Sequence, residues 1–206
     1  MTNFSIEKSI EGPVIGLDEV GRGPLAGPVV SCGCLFNSYK ELPEYINVKD
    51  SKEHTPKQRK KIFSFLKQLR KKKIIEFNLA FATVQEIDQL NILEATKLSM
   101  KRVIDKFRIK KMSIIIDGNF SLNYKNFNEK SLIGGDKLSL SIAAASIIAK
   151  VHRDRLMSLY HTKFDLYGWK KNSGYGTKQH INAIYENGIT IHHRKSFEPI
   201  KSLSKK

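Results

Sequence analysis

The stretch Val14-Ile-Gly-Leu-Asp-Glu-Val-Gly-Arg-Gly-Pro-Leu-Ala-Gly-Pro-Val-Val30 constrains the fold more than any other part of the chain. It is an apolar run that ends in two adjacent carboxylates and passes into a glycine-arginine-glycine turn. Side chains alternate faces along a strand, so Asp18 and Glu19 point to opposite sides of a regular one. Both reach one site only where the strand bends or stops. Gly21 and Gly23 supply such an irregularity, because a residue without a Cβ takes positive φ and lets backbone N–H groups approach a ligand. Arg22 between them adds a forked donor suited to phosphate or hydroxyl oxygens. The combination points to a metal-dependent site that reads a nucleic-acid backbone.

Charge agrees with that reading. Lys plus Arg number 36 against 20 Asp plus Glu, a net charge of +16. Such an excess suits a polyanionic partner better than a neutral metabolite, the plain alternative being a solubilising surface. With 206 residues and 40% apolar content the chain is long enough for one core with a small helical annex. Cys32 and Cys34 share one face of a strand and have no second Cys or His pair nearby at zinc spacing, so they read as small buried residues in a reducing compartment. Residues 1–11 lack the apolar core of a signal peptide, and no window is long and apolar enough to span a bilayer. The sequence therefore predicts a cytoplasmic protein.

Along the chain, residues 28–36 read as a second strand, and the short intervening turn predicts an antiparallel hairpin with the first. A loop with Pro43 leads to Asp50-Ser-Lys52. Thr55-Pro-Lys-Gln58 then opens a helix, with Thr55 as N-cap, Pro56 in the first turn and Gln58 three residues after the cap. Its apolar stripe is Ile62, Phe63, Leu66 and Leu69. Residues 49–73 hold eleven Lys or Arg against two acids, a solvated helix face or a phosphate-contacting one. Residues 74–82 resume a strand, and Asn91 with Glu94 opens a helix carrying Ile92, Met100, Val103, Ile104 and Phe107 on one side. Met112-Ser-Ile-Ile-Ile-Asp117-Gly118 has the character of a buried central strand ending in a carboxylate. Gly134-Gly-Asp136 precedes an alanine- and isoleucine-rich helix over 138–151, where position alone makes Asp136 an N-cap. Lys150, Arg153, Asp154 and Arg155 return that helix to solvent, with Lys150 and Asp154 one turn apart as a salt bridge. Tyr175 stands between glycines ahead of a further helix over 178–186, and the tail from His192 is basic.

Acids at strand ends that converge on one point repel each other by roughly 4 kcal/mol per pair at 4 Å and an effective dielectric near 20. A cation between them is what such a cluster needs. Oxygen ligands without His or Cys select Mg²⁺ or Mn²⁺, and a pair of such ions activates a water and stabilises the leaving oxygen of a phosphodiester. Read without a cation, the same acids are unrelated caps and turns.

Six motifs resemble prokaryotic ribonuclease HII, in the family's order and over nearly the whole chain. They are Asp18-Glu-Val-Gly-Arg-Gly-Pro24, Asp50-Ser-Lys52, Ile116-Asp-Gly118, Gly135-Asp136 with Ala143-Ala-Ala-Ser-Ile-Ile-Ala-Lys-Val151 and Arg153-Asp154, Gly174-Tyr-Gly-Thr177, and His193-Arg-Lys-Ser-Phe197. The resemblance implies an α/β, ribonuclease H-like fold, a mixed five-stranded sheet flanked by helices, with a catalytic core over 1–160 and a helical C-terminal segment over 161–206 completing the substrate site. It implies a monomeric endonuclease that cuts the RNA strand of RNA:DNA hybrids and nicks 5′ of single ribonucleotides in duplex DNA, leaving 3′-OH and 5′-phosphate ends, for ribonucleotide and RNA primer removal.

In this resemblance Asp18, Glu19, Asp117 and Asp136 hold Mg²⁺ or Mn²⁺, two ions with substrate bound, which overrides the reading of Asp136 as a cap. Gly21, Arg22 and Gly23 grip the 2′-OH and adjoining phosphate, Tyr175 stacks under the sugar, and Lys52 contacts a phosphate. Asn172 and Ser173 stand where members often carry His and Lys. The alternatives are a ribonuclease HIII-like hybrid nuclease, which would bring a separate N-terminal domain, and a basic non-catalytic RNA- or hybrid-binding module, which leaves the four carboxylates unexplained.

Overall fold

Largely apolar runs of five to eight residues form four of the five strands, a polar edge strand completes the sheet, and the helical stripes cover it. In the computed structural model residues 2–39, 54–109, 111–125 and 127–203 are described. Among them the strands are β1 (Val14–Val20), β2 (Val29–Phe36), β3 (Ile75–Ala82), β4 (Ser113–Asp117) and β5 (Asn128–Leu132). The helices are α1 (Ser5–Lys8), α2 (Pro56–Lys71), α3 (Val84–Leu90), α4 (Ile92–Ile104), α5 (Leu140–His161), α6 (Trp169–Asn172), α7 (Lys178–Asn187) and α8 (Ile200–Leu203). The sheet order is β3-β2-β1-β4-β5. β1 and β2 form the expected antiparallel hairpin, β3 extends it antiparallel, and β4 and β5 run parallel to β1.

Strand alternation divides the core into two layers. Ile15, Leu17, Ile114 and Ile116 face Met100, Val103 and Ile104 of α4. Cys32 and Cys34, which pair with Asp18 and Gly16 across the hairpin, face the alanines of α5 on the other side. Both cysteines are free and fully buried, and burial pushes their thiols well above the usual range. α5 lies so close to β1 that a Cβ at Gly16 would sit 2.5 Å from the backbone of Ser141 and Ile142. The small residues Ala143, Ala144, Ala145 and Ala149 carry that close approach along the helix.

Helix starts follow local chemistry. Thr55 with Gln58, and Thr83 with Glu86, form reciprocal capping boxes. Asn91 caps α4 by accepting from the N–H groups of Leu93 and Glu94, while Glu94 pairs with Lys97 at 2.9 Å, so only half of that box forms. α5 is capped by Ser139, whose hydroxyl accepts from Ile142 N–H. Asp136 lies earlier, in the 3₁₀ turn Gly135–Lys137, and is not the cap that its position suggests. A second acid serves the α5 start instead. The carboxylate of Glu7, fully buried, accepts from Ser139 Oγ (2.6 Å), Ser141 Oγ (2.6 Å) and Ser141 N (3.0 Å), a favourable place for negative charge at a helix N-terminus.

One expectation fails on α5. Lys150 and Asp154 form the salt bridge at 2.8 Å and Arg155 is exposed, but Arg153 is fully buried. Its guanidinium donates to the carbonyls of Pro28 (3.1 Å), Ala26 (3.0 Å) and Ser173 (2.8 Å). The tight turns before β2 and before Tyr175 leave these carbonyls without strand or helix partners, and a planar five-donor group satisfies several at once. The C-terminal segment closes over the same side, where Met157, Tyr167, Trp169, Ile184 and Ile200 pack with Leu25 and Ala26.

Replacing Gly16 with Ala is expected to push α5 off β1, costing about 1–3 kcal/mol. Thermal unfolding should register this as a fall of roughly 2–4 °C per kcal/mol for a chain of this size; an unchanged midpoint would show that the helix can yield without loss.

Candidate active site

β1 and β4 are parallel neighbours with Leu17 opposite Ile116, so the next residues, Asp18 and Asp117, stand side by side where that pairing ends, Asp117 at the end of β4 and Asp18 within β1. Alternation puts both on the α5 face. Asp136 is brought beside them by the turn that leads into α5, and Gly135 N–H donates to Asp117 Oδ1 at 2.8 Å, tying that turn to the end of β4. One carboxylate oxygen from each of Asp18, Asp117 and Asp136 lies within 4.8 Å of the other two, Asp18 and Asp136 buried and Asp117 half-buried. An open cavity of about 380 Å³ borders the group, lined by Asp117, Gly118, Asn119, Gly134 and Asp136.

Glu19 is not in this triad. The β1–β2 register continues unbroken through Val20 opposite Val30, so no bend separates Asp18 from Glu19, and the glutamate leaves from the other face of the strand. The irregularity comes one residue later, at Gly21, with φ +97°. Glu19 turns instead to Arg22, 3.4 Å away, while its second oxygen, Oε2, is buried without a hydrogen-bond partner. The charge of Asp117 still reaches it.

Electrostatics reports the strain of the arrangement. Burial, then the charges of Glu19 and Asp117, push the Asp18 carboxyl well above the usual range, opposed by a hydrogen bond from Ser146 and one from the Glu19 N–H at 2.6 Å. Burial likewise raises Glu19 to about 7 against the lowering effect of Arg22. Carboxylates 4.8 Å apart repel by roughly 3–4 kcal/mol per pair at an effective dielectric near 20. Three mutually close oxygens from hard ligands, together with an orphaned glutamate oxygen beside them, fit a divalent cation of the Mg²⁺ or Mn²⁺ type.

The glycine turn lies next to this group. Gly21 must be glycine: besides its positive φ, a Cβ there would fall 2.1 Å from Nε of Arg153. Arg22 reaches Glu19 and sits over the Phe120 ring with 5.9 Å to its centroid. Gly23 approaches Tyr175, whose ring edge is 3.6 Å from where a Cβ would be. Tyr175 is 45% exposed, its backbone held by the N–H of Leu25 on Gly174 O (2.8 Å) and by His180 Nδ1 on its own carbonyl (2.9 Å). Thus Arg22, Gly23 and Tyr175 form one surface with Gly21 buried beneath it, while Lys52 and the Asp50-Ser-Lys52 motif lie outside the described residues. Asn172 and Ser173 are engaged locally, Asn172 with Tyr167 O (2.7 Å) and Gly174 N (2.8 Å), Ser173 with Asp154 (3.1 Å). Sequence reasoning missed Ser146 and Arg153; each is a polar residue inside an otherwise apolar or helical pattern, and that misfit was the available signal.

A mixed five-stranded sheet flanked by helices, with acids at the ends of its adjacent parallel strands, places the protein among ribonuclease H-like nucleases. Solved structures share it: ribonuclease H2 from Pyrococcus horikoshii OT3 superposes with a TM-score of 0.75 at 27% identity, covering 94% of this chain and 98% of that one. Bst-RNase HIII superposes with a TM-score of 0.66 at 18% identity, over 94% of this chain and 69% of its own, a likeness of fold alone. The family model described as Ribonuclease HII matches residues 15–200. The ribonuclease HII of Wolbachia pipientis subsp. Culex pipiens (strain wPip) is 47% identical over 201 residues, 98% of each chain. The chain belongs to the ribonuclease HII family and is a ribonuclease H endonuclease, which sets aside both the HIII-like and the non-catalytic readings. No helix among the described residues is long and apolar enough to cross a membrane.

A carboxyl raised by folding binds its proton more tightly folded than unfolded, so its ionised form opposes folding. For Glu19 that cost is absent below about 4.5 and complete above about 7. In chelator-treated protein, Glu19→Gln is expected to match wild type near pH 4 and to exceed it by roughly 3 kcal/mol above neutrality. Urea unfolding across pH measures this, and added Mg²⁺ should shrink the difference. A gap that does not vary with pH would contradict the assignment.

Proposed function

We propose that this enzyme hydrolyses the RNA strand of RNA:DNA hybrids and nicks duplex DNA 5′ of a single embedded ribonucleotide, leaving 3′-OH and 5′-phosphate ends. The observation that carries the reading is the triad of Asp18, Asp117 and Asp136 within 4.8 Å, set beside the glycine turn and Tyr175. Asp18, Asp117 and Asp136, with Glu19 at their edge, are the residues that would hold Mg²⁺ or Mn²⁺. The bound cation would offset the negative charge gathered by the scissile phosphate and its leaving oxygen. A solved neighbour of the same fold was obtained in complex with Mn²⁺.

Recognition falls to the turn. The 2′-OH is the local difference between RNA and DNA, and it both donates and accepts hydrogen bonds. Backbone N–H groups of the Gly21–Gly23 turn offer donors at fixed positions, and Arg22 offers a guanidinium to the adjoining phosphate. Tyr175, exposed and 3.6 Å from the Gly23 position, offers a flat surface to a sugar at the RNA-to-DNA junction. The net charge of +16 supplies sequence-independent attraction to both backbones.

The direct test is cleavage of a labelled DNA duplex containing one ribonucleotide, with Mg²⁺, with Mn²⁺ and with chelator, mapped at nucleotide resolution. A metal-dependent nick immediately 5′ of the ribonucleotide is expected. Cleavage confined to long hybrids would keep the carboxylate site and remove the junction reading. Asp117→Asn should lower the rate at least about 10²-fold while hybrid binding persists. Tyr175→Ala should impair cutting at single ribonucleotides more than in long hybrids, and equal loss on both substrates would count against its role at the sugar.

A further inference from the structure

The His193-Arg-Lys-Ser-Phe197 motif has no part in the chemistry described so far, yet its arginine reaches the turn that faces substrate. Arg194 is fully buried, 172 residues downstream of Arg22. Its Nε donates to Gly27 O at 3.0 Å, one terminal nitrogen to Arg22 O at 2.8 Å, and the other to Gly21 O at 2.5 Å and Gly27 O at 2.8 Å. Its own N–H donates to Leu25 O at 2.9 Å, and the guanidinium rests over the Phe197 ring, 4.9 Å from the centroid. A buried guanidinium is costly to desolvate, and here its hydrogen bonds run to main-chain carbonyls of one turn.

Which carbonyls it takes decides where the turn's donors point. In a trans peptide the C=O of one residue and the N–H of the next lie in one plane and point in opposite directions. Holding Gly21 C=O and Arg22 C=O inward on Arg194 therefore turns the N–H groups of Arg22 and Gly23 outward. Outward is the side where the exposed Tyr175 ring meets Gly23. Arg153 backs the same turn from α5, its Nε filling the space where a Gly21 side chain would be.

We propose that Arg194 is the positioning residue of the ribonucleotide-reading turn: by gripping the carbonyls of Gly21 and Arg22 from within, it aims the amides of Arg22 and Gly23 at the 2′-OH. This rests on the reading of Gly21–Gly23 as the 2′-OH contact. A geometric fork of five donors performs this role, and the single ammonium of lysine, a point charge on a flexible stem, cannot hold two adjacent peptide planes at once.

The test compares wild type with Arg194→Lys, which keeps the buried charge, on duplexes carrying either a ribonucleotide or its 2′-deoxy counterpart at the target position. Arg194→Ala with added guanidinium ion is the second variant. A role in folding alone scales both rates together and leaves their ratio unmoved. The proposal expects the ribonucleotide-to-deoxy ratio of kcat/KM to fall by roughly tenfold to a hundredfold in Arg194→Lys, the scale of a misplaced contact. It also expects the amide resonances of Arg22 and Gly23 to shift in ¹⁵N-resolved spectra, and guanidinium to restore part of the ratio in Arg194→Ala. A selective wild type with an unmoved ratio and unmoved Arg22 and Gly23 amides in Arg194→Lys overturns the proposal alone. A wild type that cuts regardless of the 2′ substituent overturns the 2′-OH reading and the proposal with it.

Discussion

The close contact of α5 with β1 sets where the helix-borne groups meet the strand-borne acids. At Gly16 the helix backbone comes within the reach of a missing Cβ, and the alanines that follow keep it there. A helix seated this near delivers several groups along one line. The 3₁₀ turn at its start places Asp136, its second turn places Ser146 against Asp18, and its later turns place Arg153 behind the glycine turn. With a rise of about 1.5 Å per residue, Ser146 and Arg153 stand roughly 10 Å apart along the axis, so a single rigid element spans the metal-type cluster and the substrate-facing turn. Glu7, buried against Ser139 and Ser141, secures the end of that element where misplacement would move all of them.

Charge is separated within this short distance. The carboxylates of Asp18, Asp117 and Asp136 gather on one side of the turn, and the buried guanidiniums of Arg153 and Arg194 on the other. Dipoles hold several of these groups: Asp18 by the Ser146 hydroxyl and a backbone N–H, Asp117 by the Gly135 N–H, the arginines by carbonyls. Burial lowers Arg153 to about 10 and Arg194 to about 9, the latter also through its neighbour Arg153. Both remain charged at neutral pH. An ion pair between the two sets would neutralise the acids and weaken their hold on a cation; both guanidiniums donate to main-chain carbonyls instead. Arg22 reaches toward the acids at the edge, pairing with Glu19 with its side chain 42% exposed.

Much of the fold is legible in local patterns. The Thr55 and Gln58 box, the Ile114–Ile116 run and the alanine-rich stretch before Lys150 each carry their own instruction, and each appears where the sequence puts it. The site was only partly legible. Asp18 and Asp117 are recognisable as acids closing buried strands, because an ionisable group at the end of an apolar run is unusual. Glu19 is less legible: an unbroken strand sends neighbours to opposite faces, so only the charges of Asp18 and Asp117 reaching it, and its buried Oε2, place it at the edge of the group. Arg153 reads as a surface charge because a helix pattern says nothing of a chain segment arriving from elsewhere to cover it.

What the sequence determined by itself was β1 to β4 and the long helices, the acids of buried strands, and the family to which the motifs point and through it the mixed sheet. Those features depend on interactions between residues a few positions apart, or on short motifs read whole; the polar strand β5 and the short helices α1, α6 and α8 carry no such local pattern. Tertiary structure decided which acids share a point, that Asp136 precedes the helix cap and does not form it, and that Arg153 and Arg194 are buried. These outcomes depend on carbonyls left without partners by tight turns and on segments more than a hundred residues apart in the chain, and no local pattern records where such partners will meet.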